Sequence, residues 1–310
     1  MYDIIGDIHG HADALELLLQ KLGYGKSGGH YSHPGRKAVF VGDYIDRGPQ
    51  IAEALGIVKA MAEHGAALAL MGNHELNAIL YNTRDAEGNY LRERTDKNKS
   101  QHAETLRQFE GKEEAYLAYI EWFRTLPLYH EEENMRVVHA CWDETHIQHL
   151  KENLVDGRLT DGLLKNRYKK GTGLYEAVEV TLKGKELGMP RGLTFRDKDG
   201  HERTELRIKW WLNPERVTYR QYSVEPLDTL SDDPVPNTLT EGNGPYPESE
   251  RPVFFGHYWL SGQAEVSVFS GNVCCVDYSV AKQGKLVAYR WDGERKLDPA
   301  RFVHVSPTAH

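Results

Sequence analysis

Over residues 1–82 apolar residues come in short runs bounded by glycine and separated by stretches of helical spacing. "YDIIGD", "KAVFVGDYID" and "ALALMGN" predict strands, while "ADALELLLQKLG", "IAEALGIVKAMAEHG" and "HELNAILYN" predict helices between and after them. Strand–helix alternation of this kind predicts βαβ units around a mostly parallel sheet, an α/β fold. In such sheets ligands collect just beyond the carboxyl ends of the strands. The polar clusters "GDIHGH", "GDYIDRG" and "GNHE" all begin at those ends.

Further along, Thr83 to Lys112 is polar and charged and predicts an exposed insertion, after which "EAYLAYIEWFRTLPL" predicts a helix and "MRVVHACW" a strand. A less regular region from Asp143 to about Arg251 ends in "LSDDPVPNTLTEGNGPYPESERP", where proline forbids regular pairing and a loop or flap is expected. The final part, "PVFFGHYWL", "AEVSVFS", "NVCCVDYSV" and "KLVAYRW", predicts consecutive strands that pack as an antiparallel second sheet. We expect a single domain over 1–310 with insertions at about 83–112 and 143–250.

Composition narrows the class. The chain has 310 residues, 40% hydrophobic and 27% charged, which is ordinary for a globular protein that folds in water. No apolar run reaches the roughly 18 residues of a membrane span, and "MYDIIGDIHGH" lacks a basic and then apolar leader. Cys141 stands alone and Cys274 and Cys275 are adjacent on an apolar stretch, so no disulfide framework is implied. A cytoplasmic setting is the expectation. A net charge of −8 argues against generic binding to nucleic acid or to anionic membrane. An anionic substrate must then be held by local cations.

At the ends of successive strands the sequence supplies Asp7 and His9, then Asp43, then Asn73 and His74, and later His139 and His257. Singly, each has a bland reading as a turn carboxylate or a satisfied core histidine; Asp43 and Asp46 could cap a corner and pair with Arg47. Together, converging carboxylates, an amide oxygen and several imidazoles fit a pair of divalent cations, because a packed core does not tolerate such groups without partners. Gly6, Gly42, Gly72 and Gly256 directly precede Asp7, Asp43, Asn73 and His257 and permit a sharp exit and close backbone approach. Two cations about 3.5–4 Å apart stabilise the entering and leaving oxygens of an in-line displacement at phosphorus.

"GDIHG" at 6–10, "GDYIDRG" at 42–48 and "GNHE" at 72–75, followed by His139 and His257, resemble the phosphoprotein phosphatase branch of the calcineurin-like metallophosphoesterases. That branch includes Ser/Thr phosphatases and symmetrical diadenosine tetraphosphate hydrolases. The resemblance implies a four-layer α/β/β/α sandwich, two mixed β-sheets flanked by helices, with a dimetal site at the strand ends. It implies that Asp7, His9 and Asp43 hold one metal, that Asp43 bridges, and that Asn73, His139 and His257 complete the second. His74 would donate the proton to the leaving group, Asp46 would orient it, and Arg47 would grip a phosphate oxygen as a fork of donors.

The implied reaction is hydrolysis of phosphate monoesters or phosphoanhydrides with a metal-bridging hydroxide as nucleophile. The two divalent ions would be Mn first, with Fe or Zn as alternatives for mixed Asp, Asn and His ligation. The substrate would be a phosphorylated small molecule, a nucleotide or a phosphoprotein. Both a Ser/Thr phosphatase and a dinucleoside polyphosphate hydrolase lie within this class; a different class is a metal-stabilised scaffold without catalysis, which would need neither Asp46, Arg47 nor His74.

Departures from the family pattern bear on the substrate. Met71 precedes "GNHE" where the protein phosphatases carry a second phosphate-binding arginine, Cys141 follows His139 by two where glycine is usual, and the last histidine sits in "GHYW". Arg191 and Arg196 are candidates to replace the missing arginine, against a plain surface role. Tyr258 and Trp259 are either an aromatic wall at the substrate, with Tyr258 as the contact, or core. "GYGKSGG" lacks the first glycine of a phosphate-binding loop, since position 20 is Gln20, and is expected to be a solvated loop; His11 is expected to start a helix.

Overall fold

The computed structural model describes residues 1–189, 193–196, 202–225, 227–240 and 242–307. The chain divides into two compact units, one formed by 1–182 with 251–310 and the other by 183–250. Residues 143–182 thus cluster with the larger unit, and 183–250 stands as a unit of its own.

In the larger unit the strands are β1 (Tyr2–Ile5), the hairpin β2 (Gly25–Ser27) and β3 (His30–Ser32), β4 (Lys37–Phe40), β5 (Ala67–Ala69), β6 (Tyr129–Glu131) and β7 (Arg136–Val138). The smaller unit contributes β8 (Glu186–Gly188), β9 (Phe195–Arg196), β10 (Glu202–Arg203) and β11 (Glu205–Arg207). The larger unit resumes with β12 (Val253–Phe255), β13 (Val273–Cys275), β14 (Asp277–Tyr278), β15 (Lys285–Trp291) and β16 (Phe302–Val305). Its helices include α1 (Ala12–Leu22), α2 (Ile51–Glu63), α3 (Asn73–Asn82), α4 (Asp96–Gln108), α5 (Glu113–Phe123) and α6 (Glu144–Asn153).

The larger unit is an α/β sandwich of two mixed sheets. The first has the order β14-β15-β1-β4-β5, with β16 also on β15; β1, β4 and β5 run parallel and β15 is antiparallel to β1. The second has the order β13-β12-β7-β6. Ile4, Val39, Val41 and Leu70 from the first sheet meet Met135, Val137, Phe254 and Cys274 from the second in one buried cluster, so the sheets pack face to face. Each large apolar side chain sequestered there contributes about 1.5–3 kcal/mol. Helices α1 and α2 cover the other face of the first sheet through rows such as Leu15, Leu18 and Leu22, and Ala54, Leu55 and Val58. In the smaller unit Leu206, Ile208, Tyr219, Tyr222 and Leu230 form a separate core.

Three expectations need correction. The first sheet is parallel only across β1, β4 and β5, because β14, β15 and β16 join it antiparallel. The C-terminal strands are not one antiparallel sheet: β12 and β13 pair parallel in the second sheet while the later strands cross to the first, and "AEVSVFS" forms only a bridge from Phe269 to Val273. Alternating apolar positions fix which face of a strand is buried but not which neighbour it takes. The stretch from Thr83 to Lys112 is not simply exposed, since it contains α4, whose His102 and Thr105 are buried. Its inward face is polar, so no apolar stripe announced it. "GYGKSGG" supplies β2 of the hairpin β2–β3, exposed along β2 although Tyr24 and Tyr31 are buried, and His11 stands at the start of α1.

Candidate metal centre

Five parallel strands from both sheets end at one place. Asp7 and His9 follow β1, Asp43 follows β4, Asn73 opens α3 after β5, His139 follows β7 and His257 follows β12. The loops are stitched together by backbone bonds: the His9 N–H donates to the Asp43 carbonyl at 2.9 Å and the Gly256 N–H to the His139 carbonyl at 2.8 Å. Glycine makes this approach possible. A Cβ on Gly42 would lie 2.6 Å from the Gly72 Cα, and one on Gly72 would lie 2.2 Å from Asp43 Oδ1.

Strain gathers here too. Among the described residues, ten non-glycine residues have positive φ, and six of them are His9, Asp43, Asp46, Arg47, His257 and Trp259. Such conformations cost on the order of 1–3 kcal/mol each and persist where surrounding structure holds them. Glu75 is one such support. Its buried carboxylate accepts from the backbone N–H groups of Asp43, Tyr44 and Gly72 at 2.9, 2.8 and 3.0 Å. Burial, with the Asp43 charge, pushes it up to about 7.

The imidazoles are aimed. His9 Nδ1 donates to the Ile45 carbonyl at 2.9 Å and His139 Nδ1 to the Val41 carbonyl at 3.0 Å. A carbonyl only accepts, so each Nδ1 carries a proton and each Nε2 faces the cluster, that of His9 with the free lone pair a ligand requires. Asp43 Oδ1 accepts the His74 N–H at 3.0 Å, while Oδ2 lies 3.4 Å from His139 Nε2, 3.7 Å from His9 Nε2 and 3.9 Å from His74 Nε2. Asp43 Oδ2, Asp7 Oδ1 and His9 Nε2 are buried and make no hydrogen bond. Asn73 Oδ1 sits between His257 Nδ1 at 2.8 Å and His139 Nε2 at 3.1 Å. The result is two groups with donor atoms within 4.8 Å of one another, His9–Asp43–His74 and Asp43–His139–His257, sharing Asp43.

Electrostatics fit the same occupant. Burial and the charges of Asp277 and Asp43 push Asp7 well above the usual carboxylate range, the behaviour of a carboxylate whose positive partner is a cation. Burial also works against ionised Asp43, but the charges of His139 and His74 outweigh it and hold it low. Burial and the His74 charge press His9 down to about 3, so its ring is neutral and able to ligate. The donor set, of carboxylate and amide oxygens with imidazole nitrogens, suits hard to borderline divalent ions.

Beside this cluster, His74 Nδ1 donates to Asp46 Oδ2 at 2.5 Å, and the exposed Arg47 lays its guanidinium over the Trp259 ring at 4.4 Å. Burial would lower His74, yet the Asp43 charge and the Asp46 bond outweigh it and raise it, favouring the protonated ring. Trp259 also lies 5.3 Å from His9, and Lys282 stands 6.0 Å from its ring. Tyr258, expected at the substrate, is instead buried against Phe255 and His257, each at 5.5 Å; its neighbour Trp259 is the ring beside Arg47. Met71 is buried in the core, Arg196 lies on β9 of the smaller unit, and Arg191 lies outside the described residues.

Sequence reasoning missed Glu75, His102, Thr105 and Gln108. Glu75 carried a signal, since a Glu three residues into a helix reaches back to its start. The other three stand at intervals of three along α4, one face of a helix without an apolar stripe.

A family model for calcineurin-like phosphoesterases matches residues 2–250. The chain belongs to this family. Members of this family work with divalent metal ions and hydrolyse phosphoesters or phosphoanhydrides. It is 47% identical over 74 residues to the asymmetrical bis(5'-nucleosyl)-tetraphosphatase PrpE of Bacillus subtilis strain 168, a match spanning 24% of this chain and 30% of that one. The protein of the same name from Oceanobacillus iheyensis is 34% identical over 141 residues, 44% of this chain and 54% of its own length. The chain thus spans about half or less of these relatives. A solved mutant of a cold-active protein tyrosine phosphatase, 17% identical, superposes with a TM-score of 0.51 over 99% of this chain and 80% of that one, a likeness of fold. No helix among the described residues is long and apolar enough to cross a membrane.

Proposed function

We propose that this chain is a hydrolase that cleaves phosphoanhydride bonds in a nucleotide of the dinucleoside polyphosphate class, with two divalent cations, manganese foremost. The observation that carries it is Asp43 Oδ2, which faces three imidazole nitrogens at 3.4–3.9 Å without bonding any of them, the position of a bridging ligand. Asp7, His9 and Asp43 would hold one ion, and Asp43, Asn73, His139 and His257 the other. When bound, such ions supply positive charge to the entering and leaving oxygens of an in-line displacement and acidify water.

The chain's own groups do the rest. Arg47 grips phosphate oxygens, Asp46 fixes His74 with its proton on Nδ1 and a second on Nε2, and Nε2 hands that proton to the leaving oxygen. For the substrate, the support is twofold: the relatives' names, and the platform of Trp259 with Arg47 and Lys282 on one ring, two cations and an aromatic face for a phosphate chain ending in a nucleoside.

One panel tests this: diadenosine tetraphosphate, a phosphopeptide and a nucleoside monophosphate, each with manganese and with chelator. Turnover should require metal and be fastest on diadenosine tetraphosphate. A faster phosphopeptide reaction overturns the substrate, and silence with manganese, iron(II) and zinc overturns the enzyme.

A further inference from the structure

We infer that His102, on helix α4, is a positioning residue for His74, acting through Asp46. This rests on the reading of His74 as proton donor to the leaving group. Asp46 spends its two oxygens on different partners. Oδ2 accepts from His74 Nδ1 at 2.5 Å, while Oδ1 accepts from His102 Nδ1 at 2.8 Å and from the Thr105 hydroxyl at 2.5 Å. The Asp46 N–H returns to Thr105 Oγ1 at 3.0 Å.

Every proton beyond Asp46 has one direction. Asn82 Nδ2 donates to the Tyr116 hydroxyl at 2.7 Å, and that hydroxyl lies 2.8 Å from His102 Nε2. With the amide donating to it, the Tyr116 O–H is left to donate to Nε2, and burial keeps the phenol protonated. Nε2 accepts, so Nδ1 must carry the His102 proton, and it points at Asp46. The order Asn82, Tyr116, His102, Asp46 therefore saturates Oδ1 and leaves Oδ2 as the acceptor that sets the tautomer and plane of His74.

The same helix face holds the rest of the loop. Gln108 accepts the Ile51 N–H at 2.6 Å and donates to the Gly48 carbonyl at 2.9 Å. Thr105 and Gln108 suffice to anchor a loop by its backbone. An imidazole on the carboxylate, with its own tautomer dictated from behind, is surplus to anchoring and suits orientation.

A structural role and an orienting role differ in what they do to leaving groups. Proton donation matters for a poor leaving group and little for a good one. The experiment compares phenyl phosphate with dinitrophenyl phosphate under manganese, for the unsubstituted protein and for His102→Leu, His102→Asn and Tyr116→Phe, with metal content measured alongside. We expect His102→Leu to lose about 10- to 100-fold in kcat on phenyl phosphate, with KM, metal content and dinitrophenyl phosphate turnover near the unsubstituted values. The amide of His102→Asn can replace Nδ1–H and should recover most of the loss. Tyr116→Phe, which keeps both histidines, should show a smaller loss of the same pattern, and it decides the matter if His102→Leu fails to fold. Equal losses on both esters, or none, overturn the inference alone. An unsubstituted protein silent on both esters overturns this inference, and one silent on diadenosine tetraphosphate as well overturns the phosphohydrolase reading with it.

Discussion

Two kinds of element serve the cluster in opposite ways. The strand-end loops at 6–9, 42–47, 72–74 and 256–257 approach so closely that glycine is forced, and they place side chains through left-handed backbone. Helix α4 reaches the same site with an ordinary helical backbone and three side chains, His102, Thr105 and Gln108, each touching the loop of Asp46. Loops that carry the candidate ligands give up conformational freedom; a helix that only supports can be rebuilt residue by residue. The first kind leaves a pattern in the sequence, and the second leaves almost none.

The sharpest way to break the comparison is at His74, where the two meet. His74→Asn should reduce turnover by about 10²- to 10⁴-fold, the worth of a general acid, with metal content unchanged by elemental analysis. If metal and turnover fall together, His74 is a ligand and belongs wholly to the loops. Next comes Gly72→Ala, whose added carbon meets Asp43 Oδ1 at 2.2 Å. Overpacking of this sort costs about 1–3 kcal/mol, read by denaturant unfolding, and here it should also empty the site of metal. A variant that keeps its metal would show that the loops tolerate more than their glycines suggest.

The smallest effect is on acid stability. Burial opposes ionised Asp46, but bonds from His102 and His74 outweigh it and hold the carboxyl below its usual value of 3.8. A carboxyl depressed in the folded state stabilises the protein above pH 3.8 and loses that contribution as the pH falls below it. His102→Leu moves Asp46 back toward the ordinary value, so acid unfolding followed by circular dichroism should begin at a higher pH. No shift would mean that Thr105 and His74 alone set the carboxyl.

What was legible follows the same division. Asp7, His9, Asp43, Asn73, His139 and His257 could be picked out because strand, glycine and polar residue recur in a fixed order, which the backbone geometry demands. His102 could not, since "DKNKSQHAETLRQ" has the composition of a solvated helix and its partner Asp46 is 56 positions away. The partners of the last strands were illegible for a related reason: "VCC" and "KLVAYRW" are apolar enough for either sheet, and only the packing of the whole unit sends one to β12 and the other to β1. Tyr258 and Trp259 were indistinguishable as neighbours, until the left-handed turn at His257 and Trp259 set one ring inward and the other beside Arg47.

The chain order of the two sheets has a consequence for synthesis on the ribosome. Strand β1 emerges first, yet its antiparallel neighbour β15 is made nearly three hundred residues later, and β7, from Arg136, waits until Val253 for β12. A growing chain carries both strand edges bare and holds Asp7, Asp43 and His139 in a candidate ligand set still lacking His257. Helpers that shield exposed β-edges would act on this protein throughout its translation, and cation capture would mark the moment at which the nascent fold closes.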